Sequence, residues 1–177
     1  MKYIVSIDIG GTTFNSGIFS DSLNQVTVSQ KDKIRYYKSK DDVIDAIVKQ
    51  VNNLIDSADI LKSDIIGLGV GAPGPLDPKK GIILDTPNLQ IFKNYNIAHD
   101  LTNKLRIDTF VENDANLFAL GEWLLSYKKN NVVLGVTLGT GLGFGLVING
   151  EVFTGGNGMA MEYGLSPFEW GIAEKNA

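Results

Sequence analysis

The sequence predicts a mixed α/β fold in which a first domain is followed by the opening strands of a second, related one. Three observations predict it. An apolar, β-rich start gives way to a long amphipathic helix, and strand and helix patterns then alternate. A strand, Gly/Thr turn, strand device also occurs twice, as "IDIGGTTFNSGIF" and "VTLGTGLGFGLVI", about 130 residues apart by register.

Taken in order, Tyr3 to Ile9 and Phe14 to Phe19 read as two strands around Gly10-Gly11, and Gln25 to Tyr37 as further strand, which makes an antiparallel meander. From 40 to 56 the period changes: Val43, Ile44, Ile47, Val48, Val51, Leu54 and Ile55 recur at three- and four-residue spacing, the mark of a helix with one apolar face. "IIGLGVGAP" is continuously apolar, as in a strand buried on both faces, and Gly71-Ala72-Pro73-Gly74-Pro75 ends it in a loop. Asn96 to Leu105 suits a short helix with an Asn cap, Ile107 to Glu112 a strand, and Asp114 to Tyr127 a second long helix with apolar Leu117, Leu120, Leu124 and Leu125. The pattern then restarts with strands at Val132 to Leu138, Phe144 to Ile148 and Glu151 to Phe153. The domains expected are 1–116 and the beginning of a second at 117–177, where "GIAEKNA" supplies no match for the helices of the first.

Composition narrows the function. Hydrophobic residues are 44% and charged residues 20%, as in a soluble globular protein. A net charge of -4 and a pI near 4.9 argue against general nucleic-acid affinity. The nearest approach to a basic cluster in this reading is Lys128 and Lys129. With no cysteine there are no disulfides, thiolate metal sites or Cys nucleophiles, which fits a cytoplasmic protein. The one histidine, His99, reads as a surface residue of the short helix, so Ser/His chemistry is not expected. No run is long enough to span a bilayer, and the opening residues lack the pattern of a signal peptide.

A Gly/Thr hairpin turn exposes backbone N–H groups and hydroxyls, and concave amide clusters bind phosphate. Asp8 just before Gly10, Gly11, Thr12 and Thr13 suggests Mg²⁺ between carboxylate and polyphosphate, held by Asp8 through water. A plain hairpin with an Asp beside its turn would look the same. The second copy, Gly139-Thr140-Gly141 with Gly143 and Gly145, shifts the balance toward phosphate binding. Neither copy is a Walker loop, since no Gly-Lys-Ser/Thr follows, and neither is a dinucleotide fingerprint, since a strand comes next. In "VENDAN", Asp114 lies between a strand end and a helix start, where a carboxylate can take the proton of an acceptor hydroxyl. An ordinary N-cap at Asn113 or Asp114 is the competing reading.

"DIGGTTFNSGIF", "GVGAPGPLD", "TPNLQ", "VENDANLFALGE" and "LGTGLGFGLVINGEVFTGG", in that order, resemble the ROK family of sugar kinases, glucokinase-like members of the ribonuclease H-like (actin-like ATPase) fold. The resemblance covers most of the chain. It implies phosphorylation of a hexose by ATP with Mg²⁺, glucose being the first candidate and fructose, mannose or an N-acetylhexosamine the alternatives. It implies Asp114 as base, both glycine turns on the phosphates, and Asn88, Asn113, Asp114 and Glu162 on the sugar hydroxyls, with Gly71 and Ala72 lining the sugar side. Short amide and carboxylate groups suit a polyol, because each hydroxyl both donates and accepts. A homodimer is the family expectation.

The departures carry expectations too. Where the family commonly shows Glu, any residue, Gly, His and then a cysteine-rich zinc motif, this chain has "EYGL": Glu162 and Gly164 are present, Leu165 replaces the His, and no zinc is expected. The family's kinases run on through the rest of a second domain that holds adenine, so the chain reads as a fragment of an active kinase. The rival is a truncated sugar-binding protein. Family repressors carry a DNA-binding helix-turn-helix before the kinase-like part, and a first strand at residue 3 in an acidic chain argues against one here. Phe168 and Trp170 read as core residues or as a cover over the sugar loop, packing being the default.

Overall fold

Alternating burial at the start of the chain shows why the first hairpin forms. β1 (Tyr3–Ile9) buries Val5, Ile7 and Ile9, and β2 (Thr13–Ser20) buries Phe14, Ser16, Ile18 and Ser20, with their partners of opposite parity on the other face. β3 (Gln25–Val28) and β4 (Asp32–Lys33) both pair with β2. This computed structural model describes residues 1–139, 141–156 and 160. Two compact units, Met1–Asp114 and Ala115–Ala177, divide the chain.

In the first unit, β5 (Ile65–Ala72) and β9 (Thr109–Asn113) extend the sheet in parallel beyond β1, giving the order β3-β2-β1-β5-β9 with β4 also on β2. The crossovers are helical. α1 (Lys40–Ser57) buries Val43, Ile44, Ile47, Val51, Leu54 and Ile55, and α2 (Ile97–Leu105) buries Ile97, Leu101 and Leu105. Both apolar faces join Val5, Ile7, Ile9, Phe14, Leu68, Val70 and Val111 of the sheet in one core. At fully buried Ser16 the hydroxyl donates to Gln50 Oε1 at 2.8 Å, tying β2 to α1. Ser39 caps α1: its hydroxyl accepts from the Asp42 N–H, and Asp42 Oδ2 accepts from the Ser39 N–H. Asn96 Oδ1 caps α2 by accepting from the His99 N–H, and His99 is exposed as expected. Between β5 and α2 a small sheet of β6 (Leu76–Asp77), β7 (Ile82–Ile83) and β8 (Tyr95–Asn96) covers the core edge.

The strand expected over Gln25 to Tyr37 is not continuous. After β3 the chain leaves the sheet, returns for two residues as β4, and winds into a 3₁₀ turn at Ile34–Tyr36. Two side-chain interactions account for the break: Ile34 turns into the core, and the Tyr37 hydroxyl donates to Asp32 Oδ2 at 2.6 Å across the turn.

In the second unit, α3 (Asp114–Ser126) runs into the hairpin β10 (Val132–Leu138) and β11 (Leu142–Ile148), followed by β12 (Glu151–Val152). Asn149 and Gly150, both at positive φ, form the two-residue turn between β11 and β12. The stripe that α3 buries is not its leucines. Ala115, Asn116 and Ala119 are buried, whereas Leu117 is exposed and Leu125 is 75% exposed. Glycines explain this. A Cβ on Gly135 would stand 2.7 Å from Ala119 Cβ, and one on Gly145 would stand 2.2 Å from the Ala115 carbonyl oxygen, so the hairpin meets the small-residue stripe of α3 at near backbone contact. Val132, Leu134, Val136 and Leu138 alternate on an exposed face of β10.

Candidate active site

In open α/β sheets, ligands bind beyond the carboxyl ends of the parallel strands. Here β1, β5 and β9 are those strands, and their ends carry the singled-out residues of the first unit. Asp8 is the Cα partner of Asn15 on β2 and of Gly71 on β5, and Gly71 in turn of Glu112 on β9. Direct partners share a sheet face, so Asn15, Asp8, Gly71 and Glu112 form one row. Asp8 is exposed, while Asn113 and Asp114 follow at the β9–α3 junction, Asn113 half-buried and Asp114 exposed. The Asn113 N–H donates to Glu112 Oε1 at 2.8 Å. Ala72 is 0% exposed and belongs to the core, so any role at the surface falls to its backbone rather than its methyl group.

The turn that follows Asp8 is fixed from three directions. The Gly10 N–H donates to the Thr13 carbonyl at 2.8 Å, closing the turn on itself. Thr12 accepts from the Ile34 N–H at 2.9 Å. On the third side a Cβ at Gly11 would meet the Asn88 carbonyl oxygen at 2.7 Å and its Cβ at 3.1 Å. Gly11 therefore brings the exposed Asn88 loop against the glycine turn. Thr86 anchors that loop from beneath, its buried hydroxyl donating to the Pro75 carbonyl at 3.1 Å. One end of the first unit's sheet thus gathers Asp8, Gly10, Gly11, Thr12, Thr13, Gly71, Asn88, Asn113 and Asp114.

Two members of this end escaped the sequence reading. Asn15 follows from counting: a hairpin that pairs Ile9 with Phe14 must pair Asp8 with Asn15. Glu112 needed the β5–β9 register, which no local pattern reveals. Buried Asn15 Oδ1 has no hydrogen-bond partner among the described residues. An acceptor-only carboxylate with an amide oxygen in the same row fits the hydration shell of Mg²⁺, which keeps several waters and uses one or two carboxylates. No group of three or more His, Cys, Asp or Glu among the described residues could hold a metal ion unaided.

The second glycine turn belongs to the other unit. Its glycines divide by role: Gly143 and Gly145 approach α3, with a Cβ on Gly143 standing 3.1 Å from Ala115 Cβ, whereas Gly139 and Gly141 are exposed and a Cβ on either would meet nothing within 4 Å. The Gly139 N–H donates to the Gly141 carbonyl at 2.9 Å. Thr140, Glu162, Gly164, Leu165, Phe168 and Trp170 lie outside the described residues.

This ordered set of loops on a mixed sheet flanked by helices has a counterpart: the profile of the ROK family matches residues 4–171. The chain belongs to the ROK family. Its fold is the actin-like ATPase fold of ROK kinases, and the match to a ROK family glucokinase from Streptomyces griseus in complex with glucose and AMPPNP has a TM-score of 0.81 at 27% identity, covering 94% of this ROK chain and 51% of that one. Glucokinase of Thermotoga maritima is 32% identical over 162 residues, covering 91% of this chain and 49% of that protein. N-acetyl-D-glucosamine kinase of Pectobacterium atrosepticum is 36% identical over 158 residues, covering 89% and 50%. This ROK chain spans about half the length of the curated relatives it matches. No described helix is long and apolar enough to cross a membrane.

Proposed function

We propose that this chain carries the sugar- and phosphate-facing part of an ATP-dependent hexose kinase, with glucose as the first substrate to test and N-acetylglucosamine the second. The observation that carries the proposal is the gathering of Asp8, the Gly10–Thr13 turn, Gly71, Asn88 and Asn113-Asp114 at the carboxyl end of three parallel strands. The names of the two relatives support the choice of sugars.

In this reading Asn88 and Asn113 hold the sugar hydroxyls from two sides, and Glu162 adds a third contact. Asp114, exposed at the strand–helix junction, accepts the proton of the sugar 6-hydroxyl as that oxygen attacks the γ-phosphorus and the bond to the leaving diphosphate breaks. Gly11 and Thr12, whose N–H groups no backbone acceptor engages among the described residues, are the proposed phosphate contacts of the first unit, and Gly139, Thr140 and Gly141 are those of the second. When bound, Mg²⁺ neutralises phosphate charge, and Asp8 with Asn15 would hold it through water. The protein works in the cytoplasm, as a homodimer, on free sugar and nucleotide; analytical sedimentation tests the oligomer.

The deciding experiment follows sugar phosphate formation with ATP and Mg²⁺ across glucose, N-acetylglucosamine, mannose and fructose, comparing the unchanged chain with Asp114→Ala. Turnover on one hexose that falls by about 10²–10⁴-fold in the variant, with sugar binding retained, is expected. A folded parent that neither turns over nor binds any hexose refutes the proposal. Sugar binding without turnover favours the sugar-binding reading.

A further inference from the structure

Residues 31 to 40 carry Lys31, Lys33, Arg35, Lys38 and Lys40, five of the chain's 16 cations, against the single carboxylate Asp32. No two of them are adjacent, so no run of charge marks them as a cluster. The fold sets Lys33 beside the first glycine turn, with Arg35 two residues further on. Lys33 is the Cα partner of Thr13, and the next residue, Ile34, donates its N–H to the Thr12 carbonyl at 2.9 Å. Lys33 therefore shares a sheet face with Thr13, and two residues further along β2 that face carries Asn15 beside Asp8.

These cations are not absorbed by the fold. Lys31, Lys33, Arg35 and Lys38 are exposed, and among the described residues the ion pairs are Lys2–Asp64, Lys80–Asp77, Lys93–Asp85 and Lys104–Asp45. Asp32 is engaged elsewhere, by the Tyr37 hydroxyl at 2.6 Å and the Lys33 N–H at 2.7 Å. Tyr36, 65% exposed, gathers two of the cations: Lys33 Nζ and Arg35 Cζ lie 5.9 and 5.5 Å from its ring centroid. Two cations that share one exposed ring make a positive rim on an otherwise acidic chain, and Lys33 brings it next to the first glycine turn.

We propose that Lys33 and Arg35 form an outer phosphate seat on the first glycine turn. It takes the phosphates of a linear polyphosphate chain beyond those the turn itself holds. The chain is either the tail of a nucleotide or inorganic polyphosphate. This rests on the reading of Gly10–Thr13 as a phosphate-holding turn.

The test is calorimetric titration of the 177-residue protein with Mg·ATP, inorganic tripolyphosphate and long-chain inorganic polyphosphate at several salt concentrations. K33A/R35A, checked for an unchanged melting temperature, is titrated alongside. The parent is expected to bind long chains about tenfold more tightly than tripolyphosphate, and the double variant to lose that preference, its log K against log salt slope falling by about two. Loss confined to long chains assigns the seat to inorganic polyphosphate, and loss with Mg·ATP as well assigns it to the nucleotide tail. Parent binding that the double variant reproduces overturns the proposal, leaving the cations as protection of an edge strand. A parent that binds none of the three overturns the phosphate reading of the turn itself.

Discussion

Gly11→Ala separates the two jobs of the first turn. Gly11 does not sit at positive φ, so alanine meets no backbone strain there, and the reduced freedom of the unfolded chain would by itself stabilise by about 0.4–1 kcal/mol. Opposing this, the new Cβ would stand 2.7 Å from a backbone oxygen, that of Asn88, and 3.1 Å from the Asn88 Cβ. Overpacking of this kind costs about 1–3 kcal/mol, so the net loss centres on about 1 kcal/mol and reaches about 2.5 kcal/mol, or up to roughly 10 °C in melting temperature for a domain of this size. Relief needs the Asn88 loop to withdraw by about 0.7 Å, enough to weaken hexose binding by at least about tenfold. Thermal melting by circular dichroism and calorimetric titration with glucose and N-acetylglucosamine read both effects. Gly69→Ala is the control, because a Cβ there meets nothing within 4 Å. A Gly11→Ala protein that melts and binds sugar like the parent would show that this close approach does not organise the site.

Gly145→Ala drives a Cβ to 2.2 Å from the Ala115 carbonyl and should cost about 3 kcal/mol or more in the second unit, whereas Gly139→Ala should leave the melt unchanged; equal melts would contradict the packing described for α3. Ser39→Ala removes the cap of α1 and should cost about 1 kcal/mol by urea denaturation, with an unshifted midpoint counting against the capping box. Tyr37 is pushed up to about 12, first by the hydrogen bond it donates to Asp32. A raised phenol stabilises fully below its ordinary value near 10 and loses that contribution as pH rises through about 12. Melts across that interval should fall less steeply for Tyr37→Phe than for the parent, and identical slopes would remove Tyr37 as a cause.

Local pattern made much of this fold legible. The strands at Tyr3–Ile9 and Val132–Leu138 and the helix from Lys40 depend on alternation or on a three-to-four-residue period that their own neighbours supply. The run from Gln25 to Tyr37 was misread because what ends it is tertiary: the bond from Ile34 to Thr12 and the burial of Ile34 have no signature in the run itself. α3 misled for another reason. It is apolar on every side, so its leucines outnumber the alanines that meet the hairpin, and glycines in a different segment decide the contact. At the site, Asp8, the glycine turn and Asn113-Asp114 stood out as motifs, while the approach of Asn88 to Gly11 and the place of Glu112 needed the folded register.

The row of Asp8, Gly71 and Glu112 has a consequence for how the protein matures. Dozens of residues separate each member from the next, and each parallel pairing closes a long crossover before its contacts contribute anything. An early intermediate holding only the β1–β2 hairpin and α1 would own the glycine turn but none of the residues brought by the later strands. A small molecule that touches both ends of the row binds only chains in which both crossovers have closed. By mass action such a ligand would draw partly folded chains toward the native state, so its presence during refolding should raise the yield of finished protein.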